Sequence, residues 1–427
     1  MSDASDVSPA DAPGRPEWVG AVNRGEVWPL ADVAAAPFTL DRIAGEAASR
    51  LGIEPHDVTE RLGPDAVEAL DVLLPALEDE ARLTVLGRWI THRFLGRLVE
   101  QRLALDGYCA RDPGVLDEPV VEPWVVAGAP RTGTTALHAL LAQDPRHRVP
   151  EGWELLRPAP PPDPATRDAD VRIALADTEL RTPQVVVSGI VAIHEYSGRM
   201  PKECISAMSL AFRSEEFVAR YDVPSYTSWL QRCDMRPAYD VHRRVLQVLQ
   251  RRSPRLRWVL KSPVHLQNLP VLLAVYPDAR LSFTHRDPLV VLGSVTSLIA
   301  SMRAAHSDDV DVPGIARYHA DLYARSLDGL VDLTDSGVLV PERVTHTTFV
   351  DFLADPVSVV DGIYRHLGWD LPDGPRAAMA AYGDAHPQGR LGRHEYSFAG
   401  LGLDPDAERA RFARYVDRFA VPVGAVS

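Results

Sequence analysis

One short segment, Gly128 to Thr135, constrains the fold of this chain more than any other. It reads Gly-Ala-Pro-Arg-Thr-Gly-Thr-Thr and follows a short apolar run, Val120 to Ala127, that has the composition of a buried strand. The residues after it, Ala136 to Ala142, have the composition of a helix. A glycine-containing turn between a strand and a helix presents backbone N–H groups and a positive helix N-terminus to an anion. The segment therefore predicts a phosphate-binding loop at the edge of a sheet.

Further strand candidates come later in the chain, and each is followed by a helical run. They are Arg257 to Leu260, Arg280 to Thr284 and Arg343 to Thr347. Strands that alternate with helices in this way form parallel β-α-β units. We therefore expect an α/β fold with a P-loop-like parallel sheet flanked by helices.

The spacing of apolar residues divides the chain into three parts. Residues 1–30 are rich in Pro, Gly, Asp and Ala, which is typical of a loosely ordered arm. Residues 31–115 carry apolar residues at helical spacing and are expected to form an N-terminal helical subdomain. Residues 116–427 are expected to form the α/β domain. Within it, residues 158–253 predict a mostly helical insertion over the active site, because ligands bind at the C-terminal ends of the strands in such sheets.

The composition limits the classes of function. The 427 residues carry 45 basic and 59 acidic side chains, and this net charge of −14 argues against a nucleic-acid partner. No apolar run is long enough to predict a membrane-spanning helix, and the acidic N-terminus lacks the features of a signal peptide. The three cysteines have no CxxC spacing, which argues against a disulfide framework or a cysteine-rich metal site. These features predict a cytoplasmic enzyme.

The phosphate loop departs from the nucleoside-triphosphate motif at one position. Its spacing is that of GxxxxGK[ST], but Thr134 stands where the motif has lysine, and the loop's cation is Arg131 instead. This disfavours ATP or GTP chemistry, which depends on that lysine. A second motif, Thr284 to Pro288, places Arg286 at a strand end, and Ser294 follows on the next helix. An arginine and a serine so placed can bind one phosphate together.

These motifs resemble those of sulfotransferases that use 3′-phosphoadenosine 5′-phosphosulfate (PAPS). Pro130 to Thr135 resembles the family's 5′-phosphosulfate loop, including that of tyrosylprotein sulfotransferases, and Arg286 with Ser294 resembles its 3′-phosphate pair. Trp258 to His265 and His394 to Gly402 resemble the broad bacterial branch of the family. The resemblance implies a P-loop-like fold, PAPS as the donor, and sulfuryl transfer to a hydroxyl or amine of a small-molecule acceptor.

The resemblance also implies which residues bind the donor. The 5′-phosphosulfate would be held by the loop, the 3′-phosphate by the Arg–Ser pair, and the adenine would lie near a C-terminal glycine-rich loop. In that order, the residues are Arg131, Thr132, Gly133, Thr134 and Thr135; Arg286 and Ser294; and Arg390, Gly392 and Arg393.

Lys261 is the cation that we expect at the reacting centre. It is one of only two lysines among the 45 basic residues; the other, Lys202, precedes Glu203 in what could be a plain surface pair. Lys261 ends a predicted strand, so its side chain can reach the sheet edge that carries the phosphate loop. A compact ammonium suits the single bridging oxygen on which negative charge develops. The transfer requires no metal in principle, because a sulfuryl group carries less charge than a phosphoryl group.

Three positions are candidates for the general base. Glu154 lies beyond the phosphate loop at about the distance where tyrosylprotein sulfotransferases have a catalytic glutamate, and it is slightly favoured on that resemblance. His265 lies one helical turn after Lys261. The His194–Glu195 pair lies in the insertion and could line the acceptor pocket. Any of the three could take the proton from an acceptor hydroxyl.

Two other functions are weighed against sulfuryl transfer. A P-loop nucleotide kinase or NTPase would turn over ATP with magnesium, and a non-catalytic relative would bind nucleotide without transfer. The sequence leaves the acceptor and the oligomeric state open. The aromatic residues of the insertion, such as Tyr226 and Trp229, suit a lipophilic or aromatic alcohol slightly better than a sugar.

Overall fold

A parallel sheet of five strands lies at the centre of the fold. The computed structural model describes residues 15–187, 197–253, 256–387 and 398–424. Within these residues, the sheet has the strand order β2-β3-β1-β4-β5, and every neighbouring pair is parallel. The predicted α/β architecture is therefore confirmed. The strands are β1 Trp124–Ala127, β2 His147–Arg148, β3 Arg257–Lys261, β4 Arg280–His285 and β5 Val344–Thr348.

The central strand β1 is shorter than the sequence indicates. It begins at Trp124 rather than Val120, because Pro123 has no N–H to donate to the ladder. All four of its residues are buried. It lies between β3 and β4, with Val126 opposite Lys261 in the parallel register. The carboxyl ends of these three strands consequently meet at one edge of the sheet.

Helices precede the sheet in the chain. Two of them begin at threonines whose hydroxyls accept backbone N–H groups, Thr39 from Arg42 at 3.4 Å and Thr84 from Gly87 at 3.0 Å. The division of the chain at residues 30 and 115 stays a prediction. The helices are Glu17–Asn23, Ala31–Ala34, Leu40–Leu51, Pro55–Leu62, Pro64–Asp79 and Val85–Arg111, followed by a 3-10 helix, Pro113–Asp117.

The chain between β2 and β3 is helical in its described part. One of these helices, Arg236–Gln250, buries apolar residues at helical spacing, including Val241, Val245 and Leu249. The α-helices are Gly152–Leu156, Val171–Val186, Ile205–Met208, Glu215–Arg220, Pro224–Leu230 and Arg236–Gln250, with 3-10 helices Arg167–Ala169 and Ser209–Ala211.

The remaining helices cover the sheet and follow it to the C-terminus. The predicted final helix, Asp404 to Phe419, is two helices that meet at Phe412. Across the described ranges, no helix combines the length and the apolar character that a membrane crossing requires. The helices are Thr134–Leu141, Val264–Gln267, Leu269–Val275, Pro288–Ala304, Val312–Asp335, Phe349–Ala354, Pro356–His366, Asp373–Ala385, Pro405–Arg411 and Ala413–Arg418, with 3-10 helices Pro341–Arg343 and Phe398–Leu401.

Candidate active site

The loop after β1 requires glycine at both of its glycine positions. Gly128 has a φ of +150°, and a Cβ there would lie 2.6 Å from the hydroxyl oxygen of Thr284 on β4. Gly133 has a φ of +95° and caps the helix Thr134–Leu141. Side chains are disfavoured in these conformations, so the two glycines fix the path of the loop. The loop therefore runs close over the carboxyl end of β4 and directs the helix N-terminus at the sheet edge.

Thr132 stabilises this loop rather than facing a ligand with its side chain. Its hydroxyl donates to the carbonyl of Ala129 at 2.7 Å and lies 2.6 Å from the hydroxyl of Thr284. The residue is buried and is absent from the lining of the adjoining cavity. This differs from the predicted ligand-binding role, because the hydroxyl is already engaged by the loop and by β4.

Arg131 contacts both Ser294 and Arg286 at the sheet edge. Arg131 has a positive φ of 68°, which is uncommon for a residue with a side chain. Its carbonyl accepts from a guanidinium nitrogen of Arg286 at 2.6 Å, and its own Nε donates to Ser294 Oγ at 3.0 Å. The Arg286 guanidinium also lies over the Phe349 ring, 4.1 Å from its centroid. The two predicted phosphate motifs are thus one connected group.

Lys261 lies at the same edge, at the end of β3. Its side chain is only 2% exposed, and its ammonium donates to Thr135 Oγ1 at 3.0 Å and to the carboxylate of Glu203. The carbonyl of Lys261 accepts from the backbone N–H of Cys204 at 3.0 Å, which holds residue 203 beside β3. The ammonium therefore joins the phosphate loop to a carboxylate.

A cavity of about 350 Å³ opens beside the loop. Arg131, Gly133, Thr134 and Thr135 line it at the loop, Arg286 and Phe349 lie next to them, and Lys202 and Glu203 continue the polar part. Lys261 is absent from the lining, but its ammonium bonds to Thr135 and Glu203, which line the cavity. The apolar part of the lining includes Ile205, Val218, Val264, Val295, Leu298, Ile299, Met302 and Leu322.

Another wall of the cavity contains paired carboxylates. Glu216 receives a hydrogen bond from Arg220 at 2.6 Å, and Glu179 pairs with Arg97 at 3.0 Å. Burial alone would raise the pKa of Glu216, but Arg220 and Lys202 outweigh it and lower that pKa to about 2. Burial lowers the pKa of Lys202, against the opposing effect of Glu216. This wall therefore holds fixed charges of both signs.

Glu154 does not reach the cavity. It is fully buried and accepts from Arg148 at 2.9 Å and from Arg167 at 3.3 Å. Its second oxygen accepts the backbone N–H of Glu151 at 3.0 Å in a reciprocal capping box that starts the helix Gly152–Leu156. The spacing of the two glutamates is thus explained by helix capping, and the geometry gives Glu154 a structural role instead of the predicted role of general base.

His265 also lies away from the cavity. The turn after β3 directs it into the core, where its Nδ1 lies 2.9 Å from the hydroxyl of Tyr239. Burial lowers the pKa of His265 to about 3, and His242 lowers it further in the same direction. The ring is therefore neutral, and it packs against aromatic neighbours rather than facing the phosphate loop.

Several predicted positions fall outside the described residues. These are the His194–Glu195 pair and the glycine-rich loop with Arg390, Gly392 and Arg393. In the ranges that the structure covers, no group of three His, Cys, Asp or Glu side chains is placed to hold a metal ion.

Glu203 is the site residue that sequence reasoning missed. Its place next to Lys202 suggested a surface pair, but it lines the cavity and pairs with the other lysine of the chain, Lys261. The sequence contains one signal for this residue. The chain has only two lysines, both lie at this site, and Glu203 follows one of them directly.

Comparison with known protein families agrees with this geometry. A family model described as Sulfotransferase family matches residues 123–373, which is more than half of the chain. The curated omega-hydroxy-beta-dihydromenaquinone-9 sulfotransferase Stf3 of Mycobacterium tuberculosis (strain CDC 1551 / Oshkosh) is 30% identical over 269 residues, 58% of this chain. The match spans 62% of the length of that protein.

Two solved structures resemble the chain over most of its length. Sulfotransferase STF1 from Mycobacterium tuberculosis H37Rv has a TM-score of 0.73 and 31% identity, over 88% of this chain and 98% of that one. Sulfotransferase STF9 from Mycobacterium avium has a TM-score of 0.80 and 28% identity, over 91% of this chain and 98% of that one.

Proposed function

The chain belongs to the sulfotransferase family, and from this premise we propose that it transfers a sulfuryl group from PAPS to a hydroxyl group of a lipophilic small molecule. One observation carries the proposal. Arg131, Arg286 and Thr135 line one part of a cavity whose lining is otherwise largely apolar, and Ser294 and Lys261 bond to Arg131 and Thr135 there.

The donor would be held at the sheet edge. Arg131, with the backbone N–H groups of the loop and the helix N-terminus, would bind the 5′-phosphosulfate. Arg286 and Ser294 would bind the 3′-phosphate, and they are already adjacent to Arg131. The resemblance of the loop to that of tyrosylprotein sulfotransferases, and the role of Arg390 and Arg393 at the adenine, stay predictions.

The acceptor would occupy the apolar part of the cavity. Helices Pro288–Ala304 and Val312–Asp335 contribute aliphatic side chains to that part, which favours a hydrocarbon-rich alcohol over a sugar. The curated relative Stf3 is named for an omega-hydroxylated dihydromenaquinone, a lipophilic alcohol, and this supports the same class of acceptor here.

Glu203 and Lys261 would carry the chemistry. As the acceptor oxygen bonds to sulfur, the bond from sulfur to the 5′-phosphate oxygen breaks and its electron pair stays on that oxygen. The proton of the acceptor hydroxyl would go to Glu203, the carboxylate that Lys261 joins to the phosphate loop. Lys261 would move toward the developing charge on the leaving phosphate, and this would free Glu203 to act as the base.

The test is a stoichiometric transfer assay. The protein is incubated with PAPS and long-chain primary alcohols, and both 3′-phosphoadenosine 5′-phosphate and the alkyl sulfate are quantified. We expect equal amounts of the two products, and no ADP from ATP with magnesium. Arg131→Ala should slow the reaction when PAPS is limiting, because donor binding is weakened, whereas Arg365→Ala, a change on an exposed helix face outside the cavity, should retain the full rate.

Each other outcome selects a different function. Nucleotide binding without transfer to any alcohol favours a non-catalytic relative, and magnesium-dependent ADP formation favours a kinase or NTPase. A cytoplasmic location, the lack of a nucleic-acid partner and independence from metal stay predictions of the sequence.

A further inference from the structure

One carboxylate in the cavity wall differs from its neighbours. Glu215 is half-buried at the start of the helix Glu215–Arg220 and lines the cavity. The hydroxyl of Tyr318 lies 3.2 Å from one of its carboxylate oxygens and 3.0 Å from the other. Tyr318 has a single proton to donate, so the carboxylate keeps most of its capacity to accept hydrogen bonds.

The other carboxylates of the same lining each face a cation. Glu203 pairs with Lys261, Glu216 with Arg220 and Glu179 with Arg97. Among the described residues, no Lys, Arg or His lies within ion-pair distance of Glu215. Burial raises the pKa of Glu215 to about 7, against the opposing hydrogen bond from Tyr318. Of the carboxylates in the described lining, Glu215 is therefore the one whose charged form a bound cation would stabilise most.

Glu215 also lies where two cavities meet. A second cavity of about 180 Å³ shares Glu215, Val264, Gln267 and Leu322 with the first. None of the phosphate-loop residues line this second cavity. These four shared residues form a partition between the two cavities, and two of them, Val264 and Leu322, are apolar.

We propose that Glu215 binds a protonated amine of the acceptor, so that the acceptor is a lipophilic amino alcohol whose hydroxyl lies at the phosphate loop and whose ammonium lies at the partition. This rests on the proposed function of the same site. The ammonium donates to the open oxygen positions of Glu215, and the hydrocarbon between the two polar ends fills the apolar wall. An ammonium stabilises the charged form of Glu215, which burial disfavours, so the site distinguishes acceptors with an amine from those without one.

The experiment compares matched probes in the transfer assay. Linear amino alcohols are compared with alcohols and diols of equal chain length over a series of lengths. We expect kcat/KM to be about 10- to 100-fold higher for the amino alcohol at the matching length, as for a hydrogen bond between charged groups. Glu215→Gln should remove this preference, so that within the variant kcat/KM for the amino alcohol falls to that of the alcohol of equal length.

A matched variant and a second readout keep the inference falsifiable. Glu179→Gln changes another lining carboxylate, which already pairs with Arg97 and Arg157, and it should keep the preference for the amine. The melting temperature of the complex with 3′-phosphoadenosine 5′-phosphate should rise more with amino alcohols than with alcohols, and this rise should vanish in Glu215→Gln. This readout requires no turnover.

The outcomes separate the two proposals. If the protein neither binds the nucleotide nor transfers sulfate, the proposed function fails. If it binds the nucleotide but amino alcohols have no advantage in either readout, or if Glu215→Gln keeps that advantage, the inference about Glu215 is wrong. A preference for diols over amino alcohols would also overturn it, because that would mean that Glu215 acts as a neutral hydrogen-bonding group.

Discussion

At the phosphate-loop end of the cavity, the polar groups are positioned by tight backbone turns and by one another, whereas the wall carboxylates Glu216 and Glu179 are held by ion pairs, one within a helix and one between helices distant in sequence. The loop glycines fix the path of the chain, and Arg131 links Arg286 to Ser294. On the wall, Glu216 pairs within its own short helix and Glu179 pairs with an arginine of the helix Val85–Arg111.

This difference separates the expected effects of substitution. A change at the loop end should alter affinity for the donor, because its groups would contact the donor's phosphates. A change at the wall should alter turnover, acceptor choice or stability, because its groups carry paired charges beside the acceptor. Lys261 joins the two regions through Thr135 and Glu203, so its loss should affect the reaction more than donor binding.

The largest effect should come from Glu203→Gln. Removal of a general base costs about 10²–10⁴ in rate and abolishes the low-pH arm of the rate profile. Affinity for 3′-phosphoadenosine 5′-phosphate, measured by calorimetry, should stay close to that of the unaltered protein. If Glu203→Gln keeps near-full turnover, the base lies elsewhere on the wall.

Glu154→Gln is the matched control for that variant. It leaves Arg148 buried without its counter-charge, so we expect a loss of about 3 kcal/mol in the free energy of unfolding. The folded fraction should retain its kcat, since Glu154 does not line the cavity. A stable Glu154→Gln protein without turnover would restore Glu154 as the base and contradict the comparison of the two regions.

Lys261→Ala should have the next largest effect. Loss of one electrostatic donor to the transition state lowers kcat by about 10²–10³, while nucleotide affinity changes less. Lys261→Arg should restore little of the rate, because a planar guanidinium is wider than the ammonium that fits between Thr135 and Glu203. Equal losses in nucleotide affinity and in kcat for Lys261→Ala would instead place this lysine with the donor-binding group.

The two regions also differ in how far the sequence predicts them. The strands and the turn after β1 follow from local patterns, because that turn needs glycine at Gly128 and Gly133. The assignment of Arg286 and Ser294 to one phosphate stays a prediction, and in the structure each of them contacts Arg131. The pairing of Glu203 with Lys261 depends on the packing of a distant segment against the end of β3, through the backbone bond from Cys204. No local pattern encodes that contact.

Two candidates for the general base show the same limit of prediction from local sequence. Glu154 stands at a suggestive distance from the loop, yet its spacing from Glu151 is that of a capping box, a local signal with a purely structural meaning. His265 follows Lys261 by one turn, but the chain changes from strand to helix between them and the two side chains face different ways. Distance along the chain predicts proximity only where the backbone is regular.

Arg131→Ala and Arg286→Ala should have moderate effects that are confined to the donor. Each change should weaken binding of 3′-phosphoadenosine 5′-phosphate by roughly 1.5–3 kcal/mol, the value of a hydrogen bond to a charged group. Calorimetry measures this directly, and Arg365→Ala is the matched arginine control. Unchanged affinity in both cavity variants would refute the donor assignment of the loop end.

The smallest effect should come from Ser294→Ala, and it tests how the loop end is organised. Ser294 accepts from Arg131 Nε in the structure, and its proposed ligand is the 3′-phosphate. Loss of one neutral hydroxyl should weaken binding of 3′-phosphoadenosine 5′-phosphate by about 0.5–1.5 kcal/mol. Ser301→Ala, on the same helix, is the control, since that hydroxyl donates to the carbonyl of Ser297.

A second nucleotide shows which contact of Ser294 matters. Adenosine 5′-phosphosulfate lacks the 3′-phosphate, so it should bind far more weakly than PAPS to the unaltered protein, and Ser294→Ala should not weaken it further. If the variant loses the same affinity for both nucleotides, Ser294 acts through Arg131 on the 5′ side. The two phosphate sites would then act as a single cooperative unit. In that case Arg286→Ala should also weaken the binding of adenosine 5′-phosphosulfate, because the Arg286 guanidinium donates to the carbonyl of Arg131.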